Sequence, residues 1–297
     1  MSLSELTSPR INLADYPLSM AMKDGRVQSD LVQLDFCGPK TAHHGFKPML
    51  QEHAFEAGEL AIVAFLQARI YGKPFVLLPA IISSRFLHHS IGFNQERGHL
   101  NPKEIEGRKV GVKMYASATG LWVRGILQHE YGVDLDKVTW VTVEDAHLAE
   151  YRDPTNCERL PKGTDLGQMM LDGELAAAIL GGRDMPKDPR VQTLIPDAAS
   201  AAKEWSRREG IKPLNHVFAV HEELSRERPD IVRELFRMIV ESRNLVPESE
   251  AASLPPIGLE ASRKSLETAI DWSFEQKIIP RRLTVDELFD ETTAGLA

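Results

Sequence analysis

The chain has 297 residues, 42% of them apolar and 26% charged, and a formal net charge of −8. That length accommodates one large or two ordinary domains with real cores, and the balance is that of an ordinary globular protein. Acidic and basic residues mix throughout, so no Lys/Arg stripe marks a nucleic-acid surface, and no nucleic-acid partner is expected. The two cysteines, Cys37 and Cys157, stand far apart without a CxxC partner. This argues against a disulfide framework or a structural zinc site and suits a reducing compartment. Met1–Arg10 lacks a basic-then-apolar leader, and the longest apolar runs, Leu60–Leu66 and Phe75–Ile82, fall short of the ~20 residues of a membrane span. A cytoplasmic protein with no membrane partner is the expectation.

In chain order, Ile11–Ala14 is a short apolar run, and Leu31–Phe36 alternates as a half-buried strand would. His44–Glu56 has helical spacing. Leu60–Val63 reads as a buried strand, Ala64–Tyr71 as a short helix ended by Gly72-Lys73-Pro74, and Phe75–Leu78 as another strand. A second set follows: strand His89–Asn94, a short helix over Asn101–Gly107, strand Lys109–Val112, and the amphipathic helix Ser117–Tyr131 stopped by Gly132. Strand Val138–Val143, helix Leu166–Asp172 and strand Ala176–Leu180 lead to the Gly181-Gly182 turn. Val217–Val220 is the last clear strand. Helices are predicted over Pro229–Arg243, Leu259–Gln276 and Val285–Glu291. Strands separated by helices imply βαβ units and a mostly parallel sheet. The late helices read as a chain that has returned to finish its first lobe.

Several chemistries lack their motif. No GxxxxGK[ST] loop, GxGxxG turn or GxSxG elbow occurs, and Trp122 and Trp140 sit at core positions. A metal would need His43 or His44 with Glu59 or a distant histidine. There is no HxH, HxxxH or helix with paired ligands, so no metal ligands are assigned, and a divalent ion stays an open question.

Particular residues carry a resemblance. Leu13-Ala14-Asp15-Tyr16 and Ser84-Arg85-Phe86-Leu87-His88-His89-Ser90 resemble the 4,5-dihydroxyphthalate decarboxylase family. So does the block Tyr115-Ala116-Ser117-Ala118-Thr119-Gly120-Leu121-Trp122-Val123-Arg124-Gly125-Ile126-Leu127, followed by Glu130-Tyr131-Gly132-Val133. Pro213-Leu214-Asn215-His216-Val217 and Glu275-Gln276-Lys277-Ile278 follow in the family's order. Glu106-Gly107-Arg108-Lys109-Val110-Gly111-Val112 is less specific, since it recurs widely in type 2 periplasmic binding proteins. The similarity runs roughly from residue 11 to 290. Two departures stand out: His88 replaces the family's usual arginine, and Val143–Arg159 matches poorly. The resemblance implies an α/β, two-lobed, type 2 periplasmic-binding-protein-like fold, each lobe a mostly parallel sheet flanked by helices, with two crossovers. Lobe 1 would take 1–88 and 213–297, and lobe 2 would take 89–212.

It also implies a cofactor-independent lyase of aromatic-compound catabolism, in phthalate degradation, that decarboxylates a dihydroxylated aromatic acid in a cleft between the lobes. Proton delivery to the ring carbon suits a group titrating near neutrality, and His88, His89 and His216 lie at the predicted crossovers. A lone histidine is more often a structural hydrogen-bonder, and each of the three is readable that way too. Ser117 and Thr119 open a helix whose first N–H groups suit a carboxylate, although Ser117 also reads as a plain cap. Arg85, Arg124 and Arg183 are guanidinium candidates for gripping that carboxylate. Tyr115, Ser90, Lys40 and His44 complete the substrate-binding set. The partner would be a small aromatic carboxylate, with homo-oligomerisation left open. The rival reading is a non-catalytic solute-binding protein for an aromatic or sulfonated anion; another lyase or a biosynthetic enzyme on this scaffold is a third.

Overall fold

The computed structural model describes residues 8–296. The chain opens with β1 (Ile11–Asn12), α1 (Pro17–Lys23), α2 (Phe46–Glu52), β2 (Ala57–Ala61), α3 (Ile62–Ile70) and β3 (Phe75–Ser84). Next come β4 (Ile91–Asn94), β5 (Lys109–Val112), α4 (Ala118–Tyr131), β6 (Thr139–Thr142), β7 (Cys157–Arg159), α5 (Leu166–Asp172), β8 (Ala177–Ile179), β9 (Val191–Thr193) and α6 (Ala198–Glu209). The last part holds β10 (Leu214–His221), α7 (Glu222–Glu227), α8 (Pro229–Asn244) and α9 (Leu259–Glu275).

Two compact units result. The first ends its opening stretch at Ser84 and regains Leu214–Ile270 and the chain from Arg281 onward; the second takes Arg85–Pro213 and Asp271–Pro280. The chain thus leaves its first unit twice. Residues 271–280, placed by the sequence reading in the first lobe, pack in the second unit.

In the first unit the strand order is β1-β2-β10-β3. β1 runs parallel to β2, with Ile11 opposite Ala57, whereas β10 runs antiparallel to β2 and β3. In the second unit the order is β7-β6-β5-β8-β4-β9, parallel from β7 to β8 and antiparallel where β4 meets β8 and β9. Both sheets are therefore mixed rather than mostly parallel. The reason lies in connectivity. β4 and β10 each follow an entry into their unit, so no crossover helix forces them parallel to a neighbour.

β10 occupies the middle of its sheet, and Val217, Phe218, Ala219 and Val220 are all buried. Its register against β3 shifts on both sides of His216. Such irregularity re-aims a side chain relative to the regular pleat. Beneath the sheet, Val76, Leu78 and Ile82 pack with Phe218 and with Ile231 and Leu235 of α8.

Some boundaries differ from the sequence expectation. Leu31–Phe36 is no strand: its one bridge joins Asp35 to Arg10, although Val32 does reach the core. The alternation buried one face without recruiting a ladder. β3 runs on to Ser84, because the apolar run continues through Pro79. The helix predicted over Val285–Glu291 is a 3-10 turn at Asp286–Leu288, followed by a turn of α-helix from Glu291. α6 gave little sequence signal, since only Ala198, Ala202 and Trp205 are buried along it.

Candidate active site

The first unit places an acid–base group where its two inner strands, β2 and β10, pair. The Glu59 side chain is fully buried, flanked in β2 by Gly58 and Leu60. Its Oε1 accepts from the Ala14 N–H at 2.6 Å, and its Oε2 accepts from the Tyr16 hydroxyl at 2.8 Å. The same Oε2 lies 2.5 Å from His216 Nδ1, and the Tyr16 oxygen is 3.2 Å from that nitrogen. A buried carboxylate needs such donors, because lost hydration would otherwise cost several kcal/mol. With Nδ1–H donating to Glu59, Nε2 is the ring nitrogen left to exchange a proton, and it carries one when the ring is the imidazolium. The imidazole side chain keeps 25% of its surface accessible, and Phe46 meets its ring edge-on at 5.4 Å between centroids. A ring held through Nδ1, with part of its surface accessible, is the geometry of an acid–base group.

Lys40 and His44 lie in the loop before α2 with exposed side chains, His44 resting edge-on against His43 at 4.3 Å. Asn12 ties this loop down, its amide donating to Ala42 O at 3.1 Å. Glu59, weighed from sequence as a metal ligand for these histidines, instead serves His216. Among the described residues no group of three or more His, Cys, Asp or Glu side chains converges as a metal site.

The second unit gathers Tyr115, Ser117, Thr119 and Arg124 where β5 runs into α4. Ser117 is the helix cap, its Oγ accepting from Gly120 N–H at 3.1 Å. The N–H groups of Ala118 and Thr119 remain as first-turn donors at the positive end of a 14-residue helix. Helical side chains lean toward the N-terminus. Arg124 does so completely: it is 0% exposed, donates from Nη2 to Tyr115 O at 2.7 Å and from Nε to Gln276 Oε1 at 2.9 Å. Its guanidinium lies 3.8 Å from the Tyr115 ring centroid and 5.4 Å from that of Trp140. Nη1 is buried with no hydrogen-bond partner. A Cβ on Gly120 would come within 2.8 Å of that nitrogen, so a residue without one is required there. A buried cation at the positive end of a helix dipole, with no carboxylate at ion-pair distance among the described residues, is an arrangement that an anion would stabilise.

Tyr115 itself is core, its hydroxyl donating to Gln276 O at 3.1 Å and its own proton held more tightly because burial disfavours the phenolate. Arg85 is exposed, and a Cβ on Gly181 would stand 4.0 Å from its Nη2. Arg183 follows that Gly181-Gly182 turn, but its side chain lies outside the described residues. Lys113, which the sequence reading passed over, joins Asp184 at 2.8 Å beside the same turn. Its signal was position: it is the first residue beyond β5.

Of the other histidines, His89 is exposed on a 3-10 turn, with no carboxylate among the described residues fixing its ring, and Ser90 is buried. His88 is 1% exposed, packs against Trp205 at 5.6 Å, and leaves Nδ1 unpaired. Burial, and secondarily the neighbouring His89, pushes its pKa from 6.5 down to about 4. It is therefore neutral near pH 7 and is a core group, not a proton donor. Because the folded pKa lies below the unfolded one, its stabilising contribution is complete above pH 6.5 and is lost as pH falls toward 4. Stability should fall across that window by up to about 1.4 kcal/mol per pH unit from this residue. Urea unfolding at several pH values should show a shallower acid loss for His88→Phe than for the parent chain. Parallel curves would reject the assignment.

Two α/β units with mixed sheets and a returning central strand define a periplasmic-binding-protein-like fold. The periplasmic aliphatic sulphonate binding protein SsuA of Escherichia coli superposes with a TM-score of 0.62 at 10% identity, covering 96% of this chain and 92% of that one. A DszB variant in complex with biphenyl-2-sulfinic acid gives 0.58 at 12% identity over 96% and 99%. No protein-family model matches the chain. By sequence, the chain is a relative of the 4,5-dihydroxyphthalate decarboxylases. It is 26% identical to that of Comamonas testosteroni over 238 residues, 74% of this chain and 69% of the relative. It is 28% identical to that of Pseudomonas putida over 211 residues, 66% of this chain and 80% of the relative.

Proposed function

We propose that the chain is a carboxy-lyase of aromatic-compound catabolism that acts on 4,5-dihydroxyphthalate or a close relative. The observation that carries the reading is the buried Glu59 carboxylate 2.5 Å from His216 Nδ1. In this substrate each carboxylate-bearing carbon is para to a hydroxyl, which pushes electron density onto it. His216 Nε2–H protonates that carbon. The C–C bond then breaks, its electron pair restores the aromatic ring, and CO2 leaves. The donor is the imidazolium; the neutral imidazole left behind regains a proton from water, and the resulting hydroxide is taken up by CO2 as bicarbonate, so the step balances without a cofactor. Within the second unit, the first turn of α4, Arg124 and Arg85 form a cationic set that suits a carboxylate.

The rival, a non-catalytic binding protein for an aromatic or sulfonated anion, draws support from the sulphonate-binding neighbours in structure. One assay separates the two. Purified protein incubated with 4,5-dihydroxyphthalate and a panel of related acids should release CO2, at a rate unaffected by EDTA. Saturable binding of the panel without CO2 release would overturn the lyase reading. Loss of activity with EDTA would overturn the cofactor-free scheme.

A further inference from the structure

We infer that the second unit carries a separate site for a small organic anion, at the end of its sheet opposite the β5–α4 turn. A cavity of about 270 Å³ opens where β5 and β8 begin and β4 ends. Phe93, Met170 and Leu175, each at most 3% exposed, back the cavity, and the surface that faces it is mostly polar with a smaller apolar part. Its rim carries Arg97, Arg108 and Lys109 against one acid, Glu174. Lys109 is engaged by Glu158 at 2.6 Å. Neither Arg97 nor Arg108 has a carboxylate at ion-pair distance among the described residues, and Arg108 feels Glu104 only at longer range. Such a surplus of cations stands out in a chain of net charge −8.

The backbone is shaped to permit it. Gly173 sits at φ +80°, and a Cβ there would lie 2.4 Å from Arg97 Cζ, so the guanidinium rests directly on the α5–β8 turn. Two guanidinium groups on the rim, with a smaller apolar part of the lining beside them, suit a ligand with an anionic head and a small apolar body. The site stands independently of the lyase reading, since none of these residues belongs to that chemistry.

Amide NMR locates the binding. Titration with benzoate should shift the Gly98 and Gly173 amides saturably. In the Arg97→Ala/Arg108→Ala double variant, whose altered side chains are both exposed, the apparent affinity at those amides should fall at least about tenfold. Unmoved amides in the parent chain, or equal affinity in the double variant, would overturn the site. Inorganic phosphate titrating the same amides as tightly as benzoate would overturn its assignment to an organic anion.

Discussion

Replacing His216 with Asn should lower the turnover number for 4,5-dihydroxyphthalate by at least about a hundredfold, the usual worth of a positioned acid–base group. Asn keeps a polar atom near the Nδ1 position, so the hydrogen bond with Glu59 has a substitute and the far-UV circular dichroism should match the parent. Glu59→Gln should act more weakly, by at least about tenfold, because it removes the charge that orients the imidazole while leaving the imidazole in place. The loss should fall on kcat rather than KM, since Glu59 is fully buried against Ala14, Tyr16 and His216. Tyr16→Phe, which removes one donor from the same oxygen, should fall between the parent and Glu59→Gln. Full activity in His216→Asn would transfer the proton role to another residue, His89 being the next to test.

The second large effect is on stability. Gly125 lies on the face of α4 that meets Trp272, and a Cβ there would be 1.9 Å from Cε3 and 2.4 Å from Cζ3 of the indole. Trp272 cannot yield easily: it is 8% exposed, stacked on His129 at 5.1 Å and edge-on to Trp122 at 5.3 Å. Gly125→Ala should therefore destabilise the protein by about 3 kcal/mol, the upper part of the usual overpacking range. That corresponds to a drop of roughly 6–12 °C in melting temperature for a unit of this size. Calorimetry on Gly125→Ala, Trp272→Leu and the double variant gives the check, since the smaller side chain should relieve the collision and make the pair less than additive. Strict additivity would mean that the two residues do not meet.

Much of this was legible in the sequence, and what was not has identifiable causes. Lys109–Val112 and the helix ending at Gly132 lie where periodicity put them, because β-branched runs and a glycine stop are local signals. His216 was readable as a candidate. Its partnership with Glu59 was not, because 157 residues separate them and only the central insertion of β10 brings them side by side. A charged residue inside an otherwise apolar strand was the clue to Glu59. Arg124 read as facing either ligand or solvent, yet it is enclosed between Tyr115 and Trp140, because α4 is buried on all sides from Gly120 to Leu127. No amphipathic pattern distinguishes such a helix start from an exposed one. Gln276, which anchors Arg124, lies in a segment that sequence order assigned to the other unit.

That segment has a consequence for biosynthesis. As the chain leaves the ribosome, residues 85–213 emerge with a hole where Trp272 belongs and with Arg124 lacking its Gln276 partner. The second unit cannot reach its final packing until β10, α8 and most of α9 have also been made. Vectorial synthesis thus holds a half-finished, partly charged core open through the production of its neighbour, and that interval is when chaperone engagement or misassembly would be concentrated.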